Sequence, residues 1–169
     1  MDIKANLTEA DQTFTSLLQV LSTISQQNIN KIPFAGSWTA GQDVQHIILS
    51  AGGSVQLLNG PIKDTDRDFE ENVAKLRAMF LNFDTKFQSP ESIRPEEKDY
   101  DKQELIDTLQ KIKADYLNAI QTLDPTKTCV MFEFPGSGHI TRAEAIAFTN
   151  THTIRHLQQL KNICERLAS

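Results

Sequence analysis

The sequence predicts an all-α fold, a four-helix bundle with a long crossover connection between its second and third helices. Four long segments repeat apolar residues at steps of three and four, and each opens with a helix-capping signal. A charged, proline-punctuated stretch from 62 to 100 separates the second helix from the third, which is typical of a bundle with a crossover. The 169 residues are predicted to form one domain, 1–169, that buries a core without disulfides or a structural metal.

The first helix is predicted to begin at Thr8, which is followed three residues later by the carboxylate of Asp11. Its apolar residues are Phe14, Leu17, Leu18, Leu21 and Ile24. The pattern stops between Asn28 and Asn30, which places the end of the helix there.

A loop that ends in Trp38 leads to the second helix, where Thr39 and Gln42 form a capping box. Apolar residues recur at helical spacing over 44–58, and the Asn-Gly-Pro turn at 59–61 ends the helix. In the connection that follows, residues from Phe69 to Phe80 predict a shorter helix.

The third helix is predicted to begin at Asp101, with Glu104 three residues later, and to run to the Asp-Pro turn at 124–125. Residues 129–134 alternate loosely and predict an extended segment, too isolated for a sheet of any size. Thr141 and Glu144 form another capping box, so the fourth helix is predicted from about Arg142 to Leu167.

Composition narrows the class of protein. Lys and Arg total 17 against 22 Asp and Glu, a net charge of -5 without a basic stripe, which disfavours nucleic acid as a partner. There is no basic segment followed by an apolar core at the N-terminus, and no apolar run approaches about 18 residues. We therefore expect a soluble cytoplasmic protein with no membrane partner. Cys129 and Cys164 are too few for a disulfide framework or a metal knuckle.

Two histidines, His152 and His156, lie four residues apart on one face of the fourth helix. They fall in the gap of its apolar stripe and so point inward, where an unpartnered imidazole costs about 1–3 kcal/mol. His46 lies at the edge of the apolar face of the second helix, where Gly52 and Gly53 are expected to permit close helix approach. Three imidazoles from two helices predict a metal site with open coordination positions, as in catalytic centres.

Other common sites lack support in this sequence. There is no Ser/His/Asp order, no phosphate-cradling glycine loop and no paired cysteine motif. A triad hydrolase, a nucleotide-dependent enzyme and a zinc finger are therefore disfavoured.

Trp38 and Thr39 at a helix start, His46 eight residues after the tryptophan, and the run from His152 to Leu157 about a hundred residues later together resemble the DinB/YfiT-like metal-dependent proteins. The resemblance implies an antiparallel four-helix bundle with a crossover. It also implies one divalent metal, most often zinc or nickel, on the residues matching His46, His152 and His156, and a homodimer. Better characterised relatives activate a low-molecular-weight thiol for transfer to an electrophile or for isomerisation.

A metal held by three histidines lowers the pKa of a bound water or thiol and so supplies a nucleophile at neutral pH. Arg155 is predicted to anchor an anionic group of a small-molecule substrate, and Trp38 to form a pocket wall, while no residue stands out as a general base. Three hypotheses stay open: a thiol S-transferase, a metal-dependent hydrolase, and a non-catalytic bundle that binds a metal or small molecule.

Overall fold

The computed structural model describes residues 1–134 and 136–168, which form four long helices and one short helix. The helices are α1 (Ile3–Thr23), α2 (Ala40–Asn59), α3 (Val73–Leu81), α4 (Lys102–Thr122) and α5 (Arg142–Ala168). Two-residue strands, β1 (Ile62–Lys63) and β2 (Thr128–Cys129), pair antiparallel, and a 3₁₀ turn spans Glu91–Ile93. The predicted class, a four-helix bundle with a long connection between its second and third long helices, is confirmed.

The four long helices surround one apolar core. Helices α1 and α2 each pack against both α4 and α5, so α1 and α2 lie diagonally opposite one another. Helices α1 and α4 run antiparallel, because Lys102 Nζ donates to the Ser22 carbonyl near one end and Lys113 pairs with Asp11 further along. The largest fully buried side chains include Phe14, Leu17, Leu21, Ile47, Leu58, Leu109, Tyr116, Ile120 and Ile146. Each stabilises the fold by about 1.5–3 kcal/mol relative to an exposed position.

Helices α2 and α5 are also antiparallel neighbours, and this pair sets up the candidate site. Near one end, Arg142 Nε at the start of α5 donates to the carbonyl of Leu58 at 2.8 Å. Further along, Asp43 in the first turn of α2 contacts His156, which follows the midpoint of α5. The inward histidines of α5 therefore lie opposite the N-terminal half of α2.

Local capping explains most helix boundaries. Thr39 Oγ1 accepts from the Gln42 amide while Gln42 Oε1 accepts from the Thr39 amide, which confirms the predicted capping box of α2. Asp101 caps α4, and α5 begins with the reciprocal pair Thr141 and Glu144. These three predicted helix starts are confirmed.

Three predicted boundaries were wrong. Helix α1 begins at Ile3 instead of Thr8, because Asp2 caps it by accepting from the Ala5 amide. It ends at Thr23, before the predicted end between Asn28 and Asn30, because Ile24 takes an extended conformation. The short helix begins at Val73 instead of Phe69. Of the predicted extended segment, only Cys129 lies in a strand.

The connection after α2 crosses over α5, against which α3 packs. Its first part is held by Glu144, which has no exposed surface and accepts two bonds of 2.6 Å from Arg67 and one of 2.9 Å from the Asn72 amide. The connection is thus fixed to the N-terminal turn of α5. None of the described helices combines the length and apolar character needed to span a membrane.

Glu144→Gln is expected to lower the free energy of unfolding by about 2–4 kcal/mol, because the amide leaves the half-buried Arg67 guanidinium without its carboxylate. Glu71→Gln is the matched control: this exposed carboxylate lies 3.5 Å from the same guanidinium and should change stability by less than about 0.5 kcal/mol. Urea unfolding measures both variants. An equal loss of unfolding free energy in the two variants would show that the burial of Glu144 does not contribute to stability.

Candidate metal centre

Three imidazoles, two from α5 and one from α2, meet between these helices. One ring nitrogen from each of His46, His152 and His156 lies within 4.8 Å of the other two. The residues are 3%, 8% and 7% exposed, respectively. His46 Nε2 and His152 Nε2 are 3.3 Å apart, and two nitrogens bound at about 2.0–2.1 Å to one tetrahedral ion lie about 3.3 Å from each other. This pair is therefore already spaced for a shared ion.

Helical spacing on both elements produces the cluster. On α2, Asp43, His46 and Ser50 follow at steps of three and four and so share the face that meets α5. The expectation that Gly52 and Gly53 permit this approach was wrong. A Cβ on Gly52 would meet Ile112 of α4 at 3.7 Å, and Gly53 faces open space.

The outward-facing ring nitrogens are held by fixed acceptors. His46 Nδ1–H donates to the carbonyl of Ile93 at 2.8 Å, and His156 Nδ1–H donates to Asp43 Oδ1 at 2.7 Å. A carbonyl or carboxylate oxygen only accepts, so the neutral form of each ring has its proton on Nδ1 and a lone pair on Nε2. Metal-binding histidines in proteins are commonly oriented by such outer partners.

The third ring has an adaptable partner. His152 Nδ1 lies 3.4 Å from the Ser50 hydroxyl. A hydroxyl both donates and accepts, so it can serve either tautomer of His152. His152 Nε2 can therefore donate to His46 Nε2 when no ion is present and turn a lone pair inward when one is.

The surroundings fit a divalent cation. Asp43 has no exposed surface, and its Oδ2 accepts no hydrogen bond from any residue the structure describes. A buried carboxylate oxygen without a partner is costly, and a cation bound by the adjacent His156 would offset that cost. Nitrogen donors of this type suit zinc and nickel.

Burial keeps the imidazoles in the form that binds metal. Burial lowers the pKa of His46 from 6.5 to about 4, with a smaller electrostatic contribution from the neighbouring His156, although the bond to Ile93 opposes the shift. Burial, with His156 and His46 nearby, also lowers the pKa of His152 well below its usual value. Both rings are therefore neutral at neutral pH, as metal ligation requires.

Aromatic rings surround the cluster. Trp38, half-buried, lies with its ring centroid 5.1 Å from that of His46, while Phe80 and Phe148 lie 5.8 Å and 5.2 Å from His152. The structure thus places Trp38 beside the histidines. Its role as the wall of a substrate pocket stays a prediction.

Arg155 lies between the two α5 histidines in sequence, but its guanidinium reaches the segment after α3. It donates to the carbonyls of Asn82 at 2.7 Å, Phe80 at 3.4 Å and Thr85, and it lies 4.9 Å from the Phe87 ring centroid. Its role as a substrate anchor stays a prediction, and an anion there would have to replace these carbonyls.

Other candidate ligands lie elsewhere. His139 Nδ1 is 3.2 Å from the Phe132 carbonyl, and Cys129 and Cys164 are free thiols. Among the described residues, the three histidines are the one group of at least three such side chains close enough to share an ion. Sequence reasoning missed Asp43, although its position three residues before His46 on one helix face was a usable signal.

The fold and site together define a helical bundle with a buried three-histidine cluster, compatible with a metal-binding protein. A sequence model of the DinB superfamily matches residues 9–160, so the chain belongs to the DinB superfamily. Among curated proteins, none matches the chain. The crystal structure of TT2238, a four-helix bundle protein, aligns with a TM-score of 0.61 and 17% identity over 95% of this chain and 98% of that one. That similarity shows the shared fold.

Elemental analysis of the purified protein should find about one divalent ion per chain, and His46→Ala or His152→Ala should lose it because each removes an imidazole of the cluster. His139→Ala, a histidine outside the cluster, is the control and should retain the ion. Asp43→Asn should weaken metal affinity by about 10–100-fold through His156. Full occupancy in His152→Ala would exclude this ligand set.

Acidification should destabilise the metal-free protein between about pH 6.5 and about pH 4. In that range the unfolded chain takes up a proton on His46 and the folded chain does not. The free energy of unfolding therefore decreases as the pH is lowered, by up to about 3 kcal/mol for this group. Urea unfolding across this range should show a shallower dependence for His46→Gln. An unchanged dependence in the variant would contradict the assignment.

Proposed function

We propose that this protein is a divalent-metal-dependent enzyme that activates a low-molecular-weight thiol for transfer to an electrophilic small molecule. The observation that supports a metal centre is the convergence of three buried imidazoles, two of which have Nδ1 fixed by outer acceptors. Membership of the DinB superfamily is compatible with metal binding. The thiol chemistry rests on the resemblance of the site residues to thiol-using relatives.

The charge of the site favours an anionic fourth ligand. Three neutral imidazoles add no charge, and the carboxylate of Asp43 adds one negative charge behind His156. A divalent ion in this setting keeps a net positive charge, which one anion neutralises. A bound ion would lower the pKa of a thiol that reaches it, and would thereby supply a thiolate at neutral pH.

The residues of the chain have distinct tasks in this scheme. The Ile93 carbonyl and Asp43 hold two imidazoles in one tautomer and orientation, while Trp38, Phe80 and Phe148 limit the access of water. Among the described side chains in contact with the imidazoles, Asp43 is the one carboxylate, and it lies at Nδ1 of His156, on the far side of that ring from Nε2. The thiol proton therefore leaves to solvent or to the leaving group of the electrophile.

A non-catalytic metal-binding bundle is the second candidate, and the missing general base favours it. A metal-dependent hydrolase would use the same residues to activate water. A homodimer, a cytoplasmic location and the choice between zinc and nickel also stay predictions.

Transfer of a thiol to a chloronitrobenzene electrophile should require both the metal and the thiol. Its rate should rise with pH through an apparent pKa below that of a free thiol, about 8.5, because the cation favours the thiolate. A panel of biological thiols, with and without chelator, measures this. His152→Ala should give only the uncatalysed rate, and His139→Ala should retain activity.

A rate unaffected by chelation would remove the metal from the reaction. Turnover of ester or amide substrates without thiol would favour the hydrolase. Metal binding without either activity would favour the non-catalytic bundle.

A further inference from the structure

Residues 82–93, here called the strap, run from the end of α3 through the 3₁₀ turn and contact the site from outside. The Ile93 carbonyl accepts from His46 Nδ1–H at 2.8 Å, and Ser89 Oγ lies 3.4 Å from the same nitrogen. The strap thus supplies the outer partner of one candidate ligand. Movement of the strap at Ser89 and Ile93 would remove the outer contacts that orient His46.

The strap has little packing of its own. All of its residues are described, and none is buried: residues 82–88 are exposed and only Ser89 and Ile93 are half-buried. Phe83 and Phe87 are 52% and 45% exposed. Segments with few buried apolar contacts open at low free-energy cost. The strap therefore depends on a few specific contacts to stay in place.

Arg155 makes several of those contacts. Its guanidinium donates to the carbonyls of Asn82 and Thr85 in the strap and to that of Phe80 just before it. It also lies over the Phe87 ring, which stacks on Phe80 with centroids 5.3 Å apart. Phe80 in turn meets the edge of His152 at 5.8 Å. One side chain of α5 thereby fixes both the strap and the aromatic pair above a candidate ligand.

We propose that the strap is the gate of the metal site and that Arg155 is its latch. The inference rests on the proposed function only in that the site beneath the strap is the proposed metal site. In the closed state the three histidines are at most 8% exposed, so a thiol-sized ligand needs a covering segment to move, and the strap is an exposed segment in contact with the site. Opening exchanges the bonds of Arg155 and the His46–Ile93 bond for water, and closing excludes water again.

The latch also relates Arg155 to its predicted role as an anchor. An anionic group that pairs with the guanidinium competes with the carbonyls of the strap, because both need the same N–H donors. Such a ligand would favour the open gate. Ligand recognition and opening would then depend on one residue.

The test compares full-length wild type, Arg155→Ala and Arg77→Ala. Arg77 is the matched control, because it lies on α3 and pairs with Glu9 of α1, away from the strap. Hydrogen–deuterium exchange of the purified proteins reports opening of residues 82–93. After chelation, the rate of acylation of the site histidines by diethyl pyrocarbonate reports access, with His139 as internal reference.

Arg155→Ala should raise strap exchange and acylation of the site histidines about tenfold, which corresponds to losing roughly the net contribution of one hydrogen bond. Arg77→Ala should match wild type in both readouts. Arg155→Lys keeps the positive charge but lacks the planar guanidinium with its several N–H donors. Its exchange and acylation rates should lie between those of wild type and Arg155→Ala, which preserves the test if Arg155→Ala folds poorly.

Wild-type rates in both Arg155 variants, or an equal rise in Arg77→Ala, would overturn the latch. Neither readout needs turnover or a bound ion. A failed thiol-transfer assay would therefore count against the proposed function alone, and unchanged exchange and acylation would count against the gate alone.

Discussion

Three buried imidazoles must each be held in a fixed orientation and given a partner, and the rest of the structure depends on this constraint. An uncompensated imidazole in a bundle core is costly, so each ring requires a hydrogen-bond acceptor or a cation. The Ile93 carbonyl and the Asp43 carboxylate meet that need at Nδ1 of His46 and His156. They select the tautomer with the proton on Nδ1 for both rings, and the lowered pKa of His46 keeps that ring neutral at neutral pH. Stability and metal competence are therefore one property of this core.

Two features of the bundle position the imidazoles and their acceptors: the antiparallel packing of its helices and its long connection. The antiparallel pair α2 and α5 brings the faces that carry the histidines together. The connection supplies what the helices do not, because the carbonyl groups inside a helix are already bonded. It is held to α5 on both sides of α3, by contacts that include Arg67 on Glu144 before α3 and Arg155 after it. The first contact involves a fully buried carboxylate, and the second lies in an exposed segment that is suited to movement.

The fold and the histidine triplet were largely predictable from the sequence, because both follow from local periodicity. Capping boxes marked α2 and α5, and the inward phase of His152 and His156 indicated a buried pair. The beginning of α1 was missed because a single cap at Asp2 outweighs the weaker signal at Thr8. The contacts of Ile93 and Arg155 were not predictable. A backbone carbonyl has no sequence signal, and the route that the connection between α2 and α4 takes across α5 depends on tertiary packing.

The central claim is that His46, His152 and His156 are arranged to bind one divalent ion through Nε2 while coordination positions stay open. X-ray absorption spectroscopy of the metal-loaded protein tests this most directly. The account predicts about three imidazole nitrogens at about 2.0–2.1 Å together with a light exchangeable ligand, replaced by sulfur when a thiol is added. A first shell with fewer than three imidazoles, or one that contains cysteine sulfur in the absence of added thiol, would contradict it.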